Sequence, residues 1–261
     1  GINGTPMPSY ADILSDKERW YLAHYVKSLI HEEKAGGEVV LKPQRVEGDL
    51  PMDPHDPRWA QVDSLDIPLS GQVITRPRLQ TPSVDLITVK TLYNGKEIAF
   101  LLEWDDRTKN TAQREPENPS NNPTEERTYP ILYPEREEVV LRDAVAIQFP
   151  VKISESPEKP HFFLGATGKP VNLWTWKADK QGNPAGVTSV EEGNATGYKA
   201  PFTIQPPGSQ NVQGKGVWSN GRWKVVMKRT IMTKDSGKDI PFEEGKFIPM
   251  AFHAWDGSNG E

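Results

Sequence analysis

The chain has 261 residues, a net charge of −5 and no cysteine, so disulfides, thiolate metal sites and a cysteine nucleophile are excluded. It has no basic block, which argues against a nucleic-acid partner, and no apolar run near the ~20 residues of a membrane span. Its 21 glycines and 24 prolines favour short strands and many turns over long helices.

The first ten residues, GINGTPMPSY, place Met7 between two prolines. Proline fixes the backbone on either side of Met7 and removes amide donors, so the thioether is held on a rigid, irregular loop. Thioether sulfur is a soft ligand that suits haem iron. This start is unusual for a globular fold, and we expect it to be the end of a domain whose first part lies outside the chain.

An amphipathic helix is predicted behind this loop. Ser15 and Glu18 form a capping box, in which each side chain accepts from the backbone of the other. Apolar residues then recur at helical spacing, which predicts a helix at about 16–32 that ends before Gly36-Gly37. Its apolar face needs a partner, because so short a helix is marginal alone.

From residue 37 onward the apolar period changes to two, which predicts strands. Asn94-Gly95 and Asn220-Gly221 each join two such runs into a hairpin, and the first suits a type I′ turn. The predicted strands are 38–42, 86–93, 96–104, 143–151, 161–164, 171–177, 216–219, 222–229 and 247–255. Many short strands with turns between them indicate a mainly β protein, an antiparallel β-sandwich behind a short helical segment.

Two segments interrupt this pattern. Residues 106–138 are rich in Pro, Asn, Glu and Arg and are interpreted as an inserted loop, and 178–215 has a similar composition. Asp105-Asp106 is interpreted as the turn at a hairpin end rather than as a pair of catalytic carboxylates. The predicted domains are therefore a helical segment at 1–35 and a β-sandwich at 36–261.

The segment GINGTPMPSYADILSDKERWYLAHYVKSL resembles the C-terminal third of a class I cytochrome c. In that family a Gly-Thr-x-Met-Pro pattern precedes the last helix. The resemblance implies that Met7 is the distal axial ligand of a haem c, whose Cys-x-x-Cys-His attachment motif lies outside this chain.

The larger part resembles the haem-binding gamma subunit of complexes like ethylbenzene dehydrogenase, dimethylsulfide dehydrogenase, chlorate reductase and nitrite oxidoreductase. The fragments that carry the resemblance are LEWDDRT, DAVAIQFP, KPVNLWTWK, GRWKVV and AFHAWDG, in this order. The family implies a β-sandwich with one haem b and no catalytic role. It implies electron transfer between the iron–sulfur subunit of a periplasmic molybdenum enzyme and an external partner, either a soluble cytochrome or a quinone-linked protein.

Aromatic side chains are the first candidates for the haem b pocket. Trp174 and Trp176 alternate on one strand and therefore share a face, where rings could line a flat macrocycle. The full predicted pocket consists of Phe163, Leu164, Trp174, Trp176 and Trp255.

The axial ligands of the family are not carried by this chain. Leu164 stands where the family has a ligating Met before Gly, and the ligating Lys would follow the last residue, Glu261. The candidates within reach are His161, Met250 and His253, of which the last two have opposite strand parity, so at most one faces inward.

Two other functions remain open on the sequence alone. Aromatic platforms on β-sandwiches also bind carbohydrates and other ligands, so a binding module is one alternative. The other is a structural subunit that has lost haem b but keeps a haem c. An optical spectrum of the purified protein distinguishes the binding module from an electron-transfer subunit, and separate redox titration of two haem centres would exclude the structural subunit.

Overall fold

In a computed structural model of the chain, the described residues are 15–29, 39–74, 80–111, 113–114, 140–153, 158–181 and 189–259. The chain divides into two compact units, one of residues 1–40 and 70–82 and the other of residues 41–69 and 83–261. Met7 and most of the expected inserted loop, 115–139, lie outside the described residues.

The helix of the first unit, α1, runs over Asp16–Leu29 and confirms the predicted helix to that residue. The capping box forms as expected. The backbone amide of Ser15 donates to Glu18 Oε2 at 2.8 Å, and the Glu18 amide donates to Ser15 Oγ at 3.4 Å. The hydrogen bonds that Ser15 donates hold the pKa of Glu18 below its ordinary value.

The second unit is a β-sandwich, so the mainly β prediction is confirmed. The strands are β1 (Gln44–Arg45), β2 (Leu65–Pro68), β3 (Leu86–Tyr93), β4 (Glu97–Asp105), β5 (Gln113–Arg114), β6 (Val140–Leu141), β7 (Ala144–Pro150), β8 (Val171–Lys177), β9 (Val190–Ala195), β10 (Thr203–Ile204), β11 (Gln213–Ser219), β12 (Arg222–Thr230) and β13 (Ala251–Trp255). Short 3₁₀ helices cover Pro57–Gln61, Ala178–Lys180, Pro207–Ser209 and Gly257–Asn259.

Two sheets form the sandwich. The six-stranded sheet has the order β1-β3-β4-β12-β11, with β2 also paired to β3, and β1 runs parallel to β3. The five-stranded sheet has the order β10-β9-β8-β7-β13, and every pair in it is antiparallel. β5 and β6 pair with each other.

Both predicted hairpins form, with different turns. Asn220 and Gly221 have φ values of 53° and 73°, as a type I′ turn requires. At the first turn only Gly95 has positive φ, so the type I′ prediction is wrong there. Asn94 Oδ1 instead accepts from the amides of Lys96 and Glu97, at 3.0 and 2.8 Å, and this local bonding closes a longer loop.

Several strand predictions are wrong. Residues 39–42 precede the first strand, 161–164 form a turn, and the last strand begins at Ala251 instead of 247. The segment 178–215, which had the composition of a loop, contains β9 and β10. The buried Glu192 of β9 forms an ion pair with Arg229 of β12 at 3.4 Å, and such a long-range pair leaves no local trace in the sequence.

The main hydrophobic core lies between the two sheets and is rich in aromatic rings. Trp104, Trp174, Trp176 and Trp223 are each at most 2% exposed. The rings of Trp176 and Trp223 meet edge to face at a centroid distance of 4.9 Å. Gly216 allows this packing, because a Cβ there would lie 2.3 Å from Cζ2 of Trp176. The space between the sheets is thus filled by side chains.

Candidate functional site

The face of the five-stranded sheet that points away from this core, the outer face, carries the candidate site. Strand register assigns its members, since directly paired antiparallel residues share a face. They are Ala251, His253 and Trp255 of β13, Ala144, Ala146 and Gln148 of β7, Val171, Leu173, Thr175 and Lys177 of β8, and Glu191, Gly193 and Ala195 of β9.

The middle of the outer face is made of small residues. Ala144 and Ala146 are fully buried, and Ala195 is nearly so. A Cβ at Gly193 would lie 2.1 Å from Cζ of Phe202, so this ring lies directly on the glycine. Small residues in the sheet allow large flat groups to approach its backbone closely.

A turn at residues 161–165 lies beside this face, and Gln148 holds it in place. The Gln148 side chain donates from Nε2 to the carbonyl of His161 at 3.0 Å, and its Oε1 accepts from the Leu164 amide at 2.9 Å. The turn puts Leu164 against Val171, in an apolar cluster that also contains Leu173 and Ala195.

Leu164 has an uncommon backbone conformation. Its φ is 61°, and Gly165 follows at 71°. A bulky residue in the left-handed region costs of order 1–3 kcal/mol, and such strain concentrates at functional sites. The next position must be glycine, because a Cβ at Gly165 would lie 2.7 Å from the carbonyl oxygen of Lys169. The strained position is the one that the family resemblance aligns with a haem ligand.

His253 is the side chain of the outer face whose chemistry would allow it to bind a metal. The residue is half-buried, but its Nε2 atom is inaccessible to solvent and has no hydrogen-bond partner in the described part of the chain. Its ring lies 6.3 Å from the ring of Phe163 and 6.0 Å from that of Trp255, between centroids. Burial lowers the pKa of His253 to about 4, which keeps the imidazole neutral at neutral pH. A neutral ring nitrogen with a free lone pair is the form that binds metals.

A second unpartnered polar atom lies on the same face. Register places His253, Ala146 and Thr175 in one row across β13, β7 and β8. Thr175 Oγ1 is buried and, among the described residues, no group bonds to it. Because buried polar groups are normally hydrogen-bonded, two unpartnered atoms in one row point to a missing polar or metal-bearing group.

The structure does not bring the five residues of the predicted haem b pocket together. Phe163, Leu164 and Trp255 lie on or beside the outer face. Trp174 and Trp176 point to the opposite side of the sheet, into the core.

The three candidate ligands also lie in different places. Met250 packs against the core between the sheets, on the other side of the sheet from His253. His161 is exposed, and its Nδ1 accepts from the amide of Phe163 at 3.1 Å. Of the three, only His253 has a buried, unpartnered ring nitrogen in the described structure.

The sequence interpretation missed Gln148 and the small residues of the outer face. The alternation of alanine with larger residues in AVAIQF was visible as a pattern, and it could have identified a face kept free of bulk. The residues present fit a haem in part: the face offers apolar surface and one nitrogen ligand, while the aliphatic Leu164 cannot bind iron.

Comparison with known proteins places this geometry in context. The model of the family described as "Ethylbenzene dehydrogenase" matches residues 56–205. A protein of Haloferax mediterranei named as a respiratory nitrate reductase heme subunit, ORF7, is 25% identical over 219 residues, which cover 82% of this chain and 64% of that protein. The chlorate reductase subunit gamma of Ideonella dechloratans is 25% identical over 163 residues, which cover 61% of this chain and 52% of that protein. The chain thus spans less than two thirds of either relative.

Similarity to solved structures is weak. A carbohydrate binding module of family 9 from Caldicellulosiruptor kristjanssonii, in complex with glucose, has a TM-score of 0.39 and 13% identity, with 83% of this chain and 81% of the module covered. Likeness at this level carries no argument on function. In the described part of the chain, no helix has the length and apolarity needed to cross a membrane.

Proposed function

Because the chain belongs to the ethylbenzene dehydrogenase family, we propose that it is a haem-carrying, non-catalytic subunit that passes electrons within an oxidoreductase complex. Both relatives are named as subunits of reductases, and one of them as a heme subunit. A protein with this task has to hold a redox group, orient it and set its surroundings, while substrate chemistry takes place on another subunit.

The outer face of the five-stranded sheet is the proposed haem b site, with His253 as one axial ligand. The carrying observation is the Nε2 atom of His253, which is buried and has no partner among the described groups. When bound, the haem supplies a one-electron redox centre. His253 would hold the iron through Nε2, with the ring proton on Nδ1, and its low pKa keeps the imidazole neutral over the neutral range.

Other residues of the face would exclude water and set the position of the ring. Phe163 and Trp255 flank His253, and Leu173 is fully buried in the adjoining apolar cluster. Gln148 fixes the neighbouring turn through both ends of its amide. An apolar, water-poor surrounding is one of the ways in which a protein tunes a haem potential.

The family resemblance supports the remaining parts of the proposal. Met7 would be the axial ligand of a haem c whose attachment motif lies outside this chain. The partners would be a molybdenum-containing catalytic subunit, an iron–sulfur subunit and a soluble or quinone-linked redox protein. The compartment would be the periplasm or an equivalent extracytoplasmic space.

The test is haem content and type in the purified full chain and in four variants, measured by pyridine haemochrome and by optical spectra. We expect His253→Ala to lose haem b or shift its Soret band. His161→Ala and Met250→Leu change the other two candidate ligands. We expect both variants to keep haem b and the position of its Soret band. Met7→Ala should remove only the sulfur-to-iron charge-transfer band of haem c, measured with the attached upstream domain.

Two outcomes would contradict the proposal. A colourless full chain purified with its partners would leave a structural or ligand-binding role. If His253→Ala keeps the haem b content and spectrum of the wild type, the ligand of the iron is another residue.

A further inference from the structure

Three carboxyl groups meet at one end of the sandwich, away from the unpartnered atoms of the outer face. Asp106 follows β4 of the six-stranded sheet, Asp143 precedes β7, and Asp256 follows β13. One oxygen atom from each of them lies within 4.8 Å of the other two. The group thus joins both sheets and the last strand.

Asp143 is held in place from three sides. Its Oδ2 accepts from the Asn110 amide at 2.7 Å and from Trp223 Nε1 at 3.0 Å, and its Oδ1 accepts from the Gly257 amide at 3.0 Å. Acceptance by both oxygens suits the ionised carboxylate. Gly257 lies tightly against this region, because a Cβ there would be 2.6 Å from Cβ of Asn110. The site is therefore built from fixed segments.

Asp106 supplies the second, independent observation. It is 5% exposed, and its Oδ1 accepts from the Thr108 amide at 3.0 Å. Its Oδ2 is buried and accepts from no N–H or hydroxyl group of the described ranges, although the Asp143 carboxyl is close enough to share a proton with the Asp106 side chain. A buried carboxylate oxygen without a donor is costly unless a cation or proton offsets its charge.

Asp106 and Asp143 are both buried, and like charges this close together repel each other. The negative charges are thus unfavourable as they stand. A single shared proton would neutralise one of three carboxylates, whereas a divalent cation would offset two charges and bind the free oxygen of Asp106. The N–H donors that surround Asp143 also favour its charged form over a protonated one.

We propose that Asp106, Asp143 and Asp256 bind a calcium ion. A donor set of oxygens alone selects a hard cation over zinc, copper or iron. Calcium binds about six to eight oxygens at roughly 2.3–2.6 Å and accepts irregular geometry, so three carboxylates on fixed segments suit it. Magnesium requires a near-octahedral shell at roughly 2.0–2.1 Å and is usually bound through only one or two carboxylates.

The ion would fasten the end of β13 to both sheets. The inference stands apart from the proposed haem function, because no residue of the group belongs to the outer face. Calcium binding and haem content are therefore measured separately, and either proposal can fail without the other.

The test is calcium binding to the full chain after removal of metal with a chelator. We expect one Ca²⁺ per chain by calorimetry and a rise in Tm of about 5 °C at ~100-fold excess over Kd. Terbium in place of calcium should emit on tryptophan excitation, because Trp223 and Trp218 donate to Asp143 and to the Asp106 carbonyl. Added calcium should displace this emission.

Asp106→Asn should weaken calcium binding at least tenfold, while Asp105→Asn should bind as the wild type does. Asp105 is the matched control, since it is the neighbouring residue and its side chain is 83% exposed. If Asp106→Asn does not fold, Asp256→Asn serves in its place. The calcium titration of the wild type tests the proposal without either variant.

The proposal is overturned if calcium leaves the Tm of the wild type unchanged, or if both variants bind it equally. Tighter binding of Mg²⁺ than of Ca²⁺ would overturn the choice of ion.

Discussion

The two faces of the five-stranded sheet are built from the same strands but in opposite ways. The inner face carries Trp174 and Trp176, which are fully buried among other aromatic rings. The outer face carries alanines and a glycine, with His253 and Thr175 lacking partners among the described residues. The comparison teaches that the stripe of large rings is core packing, whereas the proposed haem site lies where small residues surround the buried Nε2 atom of an imidazole.

The largest expected effect comes from emptying the inner face. Trp176→Ala should lower the free energy of unfolding by about 3–5 kcal/mol, because it leaves a cavity among locked rings. Haem b content per folded chain should not change, if the inner face is packing alone. Urea denaturation and haem assay check both parts, with the 73%-exposed Phe247→Ala as the control. Loss of haem without loss of stability would reverse the assignment of the two faces.

The pH dependence of the haem-free protein tests the outer face. The pKa of His253 is about 4 in the fold and 6.5 ordinarily, so the folded state binds fewer protons than the unfolded state between these values. Its contribution to stability is fully present above pH 6.5 and is lost as the pH falls toward 4. The loss should approach about 3 kcal/mol.

The matched comparison for this prediction is His253→Leu. Its unfolding free energy should lack this loss, while opposite contributions from raised carboxyl groups such as Asp143 are common to both proteins. Parallel pH profiles for the two proteins, from denaturant titrations at each pH, would contradict the low pKa.

Adding a single methyl group should perturb the packing of the outer face. Gly193→Ala would place Cβ 2.1 Å from the Phe202 ring, and should cost about 1–3 kcal/mol by overpacking. The double variant Gly193→Ala/Phe202→Ala should cost less than the sum of the two single changes, since the clash is removed. The changes in unfolding free energy are measured by thermal or urea denaturation of the two single variants and the double variant. If the two single changes simply add, Phe202 does not lie on Gly193.

The smallest effect concerns the unpartnered hydroxyls. Thr175→Val keeps the shape of the side chain and removes a buried oxygen that lacks a partner in the described structure. Stability should stay the same or rise by up to about 1 kcal/mol. Thr91→Val is the control in the six-stranded sheet, because Thr91 Oγ1 is also buried and has no hydrogen-bond partner among the described residues. A loss above 1 kcal/mol at either position, by urea denaturation, would mean that the hydroxyl has a partner.

Local signals in the sequence predicted much of the sandwich. The hairpin turns, the capping box of α1 and the bounds of β8 follow from short-range chemistry, namely Asn-Gly dipeptides, Ser15 with Glu18, and a run of apolar and aromatic residues. β9 was missed, because the partners that allow Glu192 to be buried, Arg229 of β12 and the amides of Asn211 and Val212, are distant in sequence.

The residues of the predicted haem b pocket lie on opposite faces of the sheet, and local signals could not predict this separation. All residues of β8 are buried, on both faces, so strand parity separates Trp174 from Thr175 without saying which side is the core. The carboxyl group at one end of the sandwich was missed for a similar reason. Asp106 lies 37 positions before Asp143 and 150 before Asp256, and only the assembled sheets bring the three together.

The position of β13 in the sheet has a consequence for how long the protein would keep the proposed haem. In the described structure β13 is an edge strand, paired with β7 alone, and edge elements open locally without global unfolding. Its last residues are fastened through the Gly257 amide to Asp143. Amide hydrogen exchange should therefore be fastest near Ala251 and slowest toward Trp255, and the rate of haem release should follow this partial opening.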